Sequence, residues 1–198
     1  IHVPIAGLAV LPLLMGFPPL LLPAHVVLVE MVIDPMCSVA FEGQPGEPDL
    51  MQQPPRPLSE PLVGGAQLAL AAGLGAVLLA LCMLVYLLAR SDGVGDDVAR
   101  TLAMLALTVG NLALVASLAR RGRAWVRGNG RAYLVITLGA AAILGACIGV
   151  PALRDLFDFG LPAPGQAARA MALGLAGGLA LELLNPLPAV QRILGRQA

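Results

Sequence analysis

Charge is what this sequence has least of. Only 12% of its 198 residues are charged, against 58% hydrophobic, which excludes the ordinary soluble globular class, where about 25% are charged. Lysine is missing altogether, so every basic residue is Arg. Cysteine is sparse as well: Cys37, Cys82 and Cys147 stand singly inside apolar segments without CxxC spacing. That pattern speaks against disulfides and thiolate metal clusters and leaves packing as their expected role. The first residues, IHVPIAGLAVLPLLMG, lack an initiator Met, a basic leader and a small-residue cleavage site, so they do not read as a signal peptide. They read as a helix cut in the middle, and the expectation is a fragment of a larger protein.

What the sequence does have is long uncharged stretches. Leu62 to Ala89 gives 28 residues without a charge, Leu102 to Ala119 gives 18 and Ala132 to Leu153 gives 22, where roughly 20 span hydrocarbon as a helix. A further span is expected over about 18–41, another over about 166–186, and residues 1–17 form the end of the cut one. The expected fold is therefore all-α: a polytopic transmembrane bundle of about six helices, the first truncated, with the lipid bilayer as its surroundings. Small residues such as Ala69, Gly73, Ala76 and Ala80 recur at spacings that let helices approach closely.

Five arginines, Arg120, Arg121, Arg123, Arg127 and Arg131, crowd the loop between two of these spans. Positive loops stay cytoplasmic. Alternation then places the 42–61 loop and the C-terminal tail on that side as well, in an integral membrane protein. No recognition motif accompanies the arginines, so nucleic acid is not an expected partner. The 42–61 loop, EGQPGEPDLMQQPPRPLSEP, is crowded with proline, which precludes a helix and favours stiff extended backbone. It can be a spacer or a docking surface for a cytoplasmic domain.

The chemistry lies in VLVEMVIDPM. Glu30 and Asp34 are four residues apart, one above the other on a helix. A single charge at mid-membrane costs at least about 2.5–3.5 kcal/mol, and two like charges add repulsion. A bound cation, a shared proton or basic partners on other helices would offset that cost. Pro35 has no N–H and crowds the carbonyl four residues back, so the Met31 backbone carbonyl is freed as a third hard oxygen donor. Further polar candidates are His2 on the cut helix, His25 near the outer end of the second and Asn111 in mid-span. Packing or interhelical hydrogen bonding is the plainer role for those three. An alternative function for the same acids is an ion or proton relay in a secondary transporter or channel, although no second copy of the pattern marks an inverted repeat.

The ordered set Glu30, Asp34, Pro35, Glu47, Asp49, Met51, Pro54, Pro55, Arg56 and Pro57 resembles the sixth transmembrane helix and following loop of P-type cation-transporting ATPases, in the calcium-pump-like bacterial branch. IHVPIAGLAVLPLL is similar to the end of their fifth helix, RTLAMLALTVGNLALV to the eighth and VPALRDLFDF to the stretch after the ninth. The resemblance implies helices five to ten of such a pump, in a bacterial plasma membrane. It makes Glu30 and Asp34 ligands of the transported cation. His2 falls where calcium pumps carry an Asn ligand, Ile5 where they carry a Glu, and Gly110 or Asn111 near their eighth-helix Glu. This ligand set departs from theirs, so calcium, magnesium, manganese, a monovalent ion or protons all remain open as cargo. The implied partner is the missing N-terminal half: helices one to four and the actuator, phosphorylation and nucleotide domains, where ATP and magnesium would bind. The phosphorylated-Asp motif and the Thr-Gly-Glu loop are absent from the chain, so the expected enzyme is the parent pump, and this piece alone cannot be catalytic.

Overall fold

The structure is a computed structural model that describes residues 2–42, 64–121, 130–184 and 190. Among the described residues it is helical without strands. The helices are α1 (His2–Leu14), α2 (Pro23–Glu42), α3 (Gly65–Ser91), α4 (Asp96–Arg121), α5 (Gly130–Gly149), α6 (Pro151–Leu156), α7 (Pro164–Gly178) and α8 (Ala180–Leu184). Two of them, Gly65–Ser91 and Asp96–Ser117, are long and apolar enough to cross a membrane. The 42–61 loop, most of the 120–131 loop and the C-terminal tail fall outside the described residues, apart from their helical ends and Val190.

Helix starts and stops follow local chemistry. Gln67 Oε1 accepts the Gly64 N–H at 2.7 Å at the head of α3, and Gln166 Oε1 does the same for Ala163 at 3.2 Å ahead of Pro164. Each satisfies a backbone donor that the first turn leaves free. Three helices close through a left-handed residue: Gly16 (φ 77°) after α1, Gly93 (φ 73°) after α3 and Asp158 (φ 49°) after α6. In each, the next residue reaches back five positions: Phe17 to Pro12 at 2.9 Å, Val94 to Ala89 at 3.4 Å and Phe159 to Arg154 at 2.9 Å. That is the Schellman closure, and glycine is its usual left-handed residue. Asp158 is the exception, with a use described below. α2 continues through Pro35 rather than ending there, so the proline removes a hydrogen bond without terminating the helix.

α4 is the axis of the bundle. It packs on α3 and α7 along one side and on α2 and α5 along the other, while α1 lies against α3. Met104, Ala106, Leu107 and Val115 on α4 are fully buried, as are Leu78 and Cys82 on α3. Cys82 and Cys147 are free and buried, in keeping with a packing role.

The closest crossing joins α4 and α7. A Cβ built on Gly174 would stand 2.2 Å from the Ala106 carbonyl oxygen, and one on Gly178 2.2 Å from that of Gly110. Backbone meets backbone over paired small-xxx-small steps, 106–110 against 174–178. The stripe expected on α3 plays no such part: Ala69, Gly73, Ala76 and Ala80 are exposed, and nothing lies within 4 Å of a Cβ on Gly73. On α3 it is Gly75 that admits a neighbour, Val3 of α1.

Candidate functional site

Glu30 sits near the middle of α2 with its side chain 28% exposed, and its Oε1 lies 3.6 Å from His2 Nε2 at the start of α1. The two residues are far apart in sequence, and α1, which packs against α3, brings the imidazole to the carboxylate. His2 is 78% exposed, so its ring can swing. Val26, Val27, Met31 and Pro35 line an open groove beside Glu30, with Val27 and Met31 mostly exposed. The carboxylate thus stands in an apolar wall with an imidazole at its edge. Asp34 is one helical turn further along α2, and its side chain lies outside the described residues. The Met31 carbonyl has no N–H four residues on to accept from, because Pro35 stands there.

Asn111 is not joined to this pair. It is fully buried on α4, and among the described residues neither its Oδ1 nor its Nδ2 has a hydrogen-bond partner. Thr137 Oγ1 on α5 is likewise buried and unpartnered. Buried amides almost always find partners, because an unmade bond there costs about 1–3 kcal/mol. The plain expectation of an interhelical hydrogen bond for Asn111 is therefore unmet, and its oxygen remains available to a ligand. A small apolar gap between α2, α4 and α5 lies nearby, lined by Val29, Val32, Met104 and Thr108 among others. Among the described residues no three His, Cys, Asp or Glu side chains converge as a metal cluster. Described donors that suit a hard cation include the Glu30 carboxylate and freed Met31 carbonyl on α2 and the orphaned Asn111 amide oxygen on α4.

His25 leaves the list of candidates, since both ring nitrogens are engaged. Its Nδ1 accepts the Leu22 N–H at 3.0 Å, which puts the proton on Nε2, 2.5 Å from the Phe157 carbonyl. Glu182 on α8 accepts the Ser117 hydroxyl at 3.0 Å.

Sequence reasoning passed over Arg100. It is 6% exposed at the head of α4 and donates from Nε to the Leu20 carbonyl at 3.0 Å, from Nη1 to the Asp158 carbonyl at 2.8 Å and from Nη2 to the Pro19 carbonyl at 3.2 Å. It also pairs with the Asp158 carboxylate. The available signal was its place: a cation just past the first turn of α4, near the positive end of the helix dipole, calls for a local reason.

No curated protein was found to match the chain. Residues 18–187 match the model of the family described as cation transporting ATPase, C-terminus. That range takes in α2 with Glu30 and Asp34 and the whole of α3 to α8, among them the two helices long and apolar enough to cross a membrane. The chain belongs to the cation-transporting ATPase C-terminal family, as the membrane part of a larger ATPase.

Proposed function

We propose that this chain supplies part of the intramembrane cation site of a P-type, ATP-driven pump, with Glu30 and Asp34 as the anionic ligands. The observation that carries the reading is Glu30: a carboxylate in an apolar wall of α2, one turn from a second acid and beside a proline-freed carbonyl. Nothing basic but His2 stands near it among the described residues, and the apolar wall itself offers nothing to offset a negative charge. A cation arriving from water does. The Met31 carbonyl and the orphaned Asn111 oxygen supply uncharged donors of the kind a dehydrating cation takes up. His2 widens the choice of cargo toward ions that accept nitrogen, such as manganese, while leaving calcium, magnesium, a monovalent ion or protons possible. Phosphorylation in the missing domains, where ATP and magnesium act, would shift the helices between states of different cation affinity.

On this reading the Arg-rich 120–131 loop, the 42–61 loop and the C-terminus are cytoplasmic, in a bacterial plasma membrane. The turns at 15–22, 92–95 and 157–163 face outside.

Two substitutions in the intact parent test the uncharged donors. Asn111→Leu removes an unpartnered amide, so the fold should be at least as stable in a detergent melting assay. Cation-dependent phosphorylation by ATP should nevertheless need several-fold more cation. Equal cation dependence with equal stability would take Asn111 out of the site. Pro35→Ala restores an N–H for the Met31 carbonyl, and cation affinity should fall about 3- to 10-fold, the loss of roughly one neutral contact of about 1 kcal/mol. An unaltered affinity would exclude the carbonyl.

A further inference from the structure

The end of α2 that lies away from Asp34 is tied down more heavily than a helix end requires. Arg100 of α4 reaches the Pro19 and Leu20 carbonyls just ahead of α2, and with the same guanidinium holds Asp158 through both carbonyl and carboxylate. His25, in the first turn of α2, reaches the Phe157 carbonyl at 2.5 Å and stacks on Phe159 at 4.9 Å between ring centroids. Thr101, next to Arg100, accepts the Gly160 N–H at 3.0 Å. Helices α2 and α4 and the turn at 157–160 are thereby joined at one point. Neither the acids nor the orphaned amide belong to it.

Asp158 indicates what this point is for. It occupies the left-handed closing position of α6 at φ 49°, where glycine would sit without strain. Strained backbone persists where the surroundings impose it, and functional sites are where it gathers. Here the side chain that glycine lacks is the one that pairs with Arg100. A planar guanidinium with five fixed donors also suits several backbone carbonyls at once in a way an ammonium does not.

We propose that Arg100 is a positioning residue for cation transport: with His25 and Asp158 it clamps the outer end of the cation-bearing helix, so that α2 moves only at its far end and bound cation does not escape outward. This rests on the cation-site reading above. Glu30 is five residues from His25, about one and a half helical turns, so play at the clamp reaches the site directly. Freeing the clamp lets the turn at 15–22 splay from α4 and opens a path from Glu30 to the outside.

The test is the number of cations moved per ATP hydrolysed by the intact parent pump in sealed proteoliposomes, with calcium and manganese each used as the probe. Arg100→Gln should lower that ratio at least about threefold, and Arg100→Lys, which cannot span all the acceptors, should fall between Gln and wild type. Asp158→Gly guards against misfolding: it suits φ 49°, keeps the carbonyl and loses only the carboxylate, and it should still lower the ratio measurably. A wild-type ratio in Asp158→Gly together with a wild-type ratio in Arg100→Lys overturns the clamp. Glu30→Gln is run alongside: unchanged cation dependence there refutes the site itself, whereas an impaired Glu30→Gln with fully coupled clamp variants refutes only this inference.

Discussion

Glu30→Gln in the intact parent should raise the cation concentration needed for half-maximal phosphorylation by ATP about 10- to 100-fold, and Asp34→Asn should do at least as much. A bond to a charged group is worth about 1.5–3 kcal/mol, and each 1.4 kcal/mol is about a factor of ten. The amides keep the size and the acceptor oxygen of the acids, so the loss measures charge rather than packing. They also remove the cost of holding an anion in the apolar wall formed by Val26, Val27 and Met31, so the variants should be at least as stable as wild type. A variant that is more stable yet binds cation more weakly is the pattern of a binding site that destabilises its own fold. The readout is phosphoenzyme formed from ATP as a function of added cation. Wild-type cation dependence in both variants would mean that neither carboxylate touches the cargo.

A second large effect is expected far from the acids. Gly174→Leu places a branched side chain where the Ala106 carbonyl oxygen is 2.2 Å from a Cβ alone. The obstacle is backbone, which cannot turn aside as a side chain can, so α4 and α7 must separate. Overpacking usually costs about 1–3 kcal/mol, occasionally more, and this site belongs at or above the top of that range. The expected result is a protein that aggregates on extraction or melts far below wild type in detergent, as followed by the monodisperse fraction after heating. Gly73→Leu is the control, since a Cβ there meets nothing within 4 Å. Equal melting of the two variants would show that the α4–α7 crossing is not what holds the bundle together.

These two sites also mark how much the sequence disclosed. Uncharged runs dictate helices in lipid because no other element satisfies its own backbone there, so the all-α bundle was readable from composition. The crossing was readable only in kind. Small residues announce close packing, yet they line α3 as well as α4 and α7, and only the arrangement of helices picks Ala106, Gly110, Gly174 and Gly178 over Ala69 and Gly73. Glu30, Asp34 and Pro35 stood out because each is costly where it is placed. The proximity of His2 to Glu30 was suggested by resemblance rather than by pattern, and the orphaned state of Asn111 depends on what surrounds it. Arg100 was the least legible. Three of its acceptors are backbone carbonyls, contributed by residues about 60 to 80 positions away, and a carbonyl has no sequence signature.

The central claim is that the carboxyls of Glu30 and Asp34 are where the cation sits inside the bilayer. Labelling of the purified parent with a hydrophobic carbodiimide, which attacks carboxyl groups in apolar surroundings, tests it most directly when modified peptides are counted by mass spectrometry. Without cation, Glu30 and Asp34 should be modified, and saturating transported cation should protect both while leaving Glu182, which is held by Ser117 on α4, as reactive as before. Equal labelling of Glu30 and Asp34 with and without every cation that supports phosphorylation would contradict it.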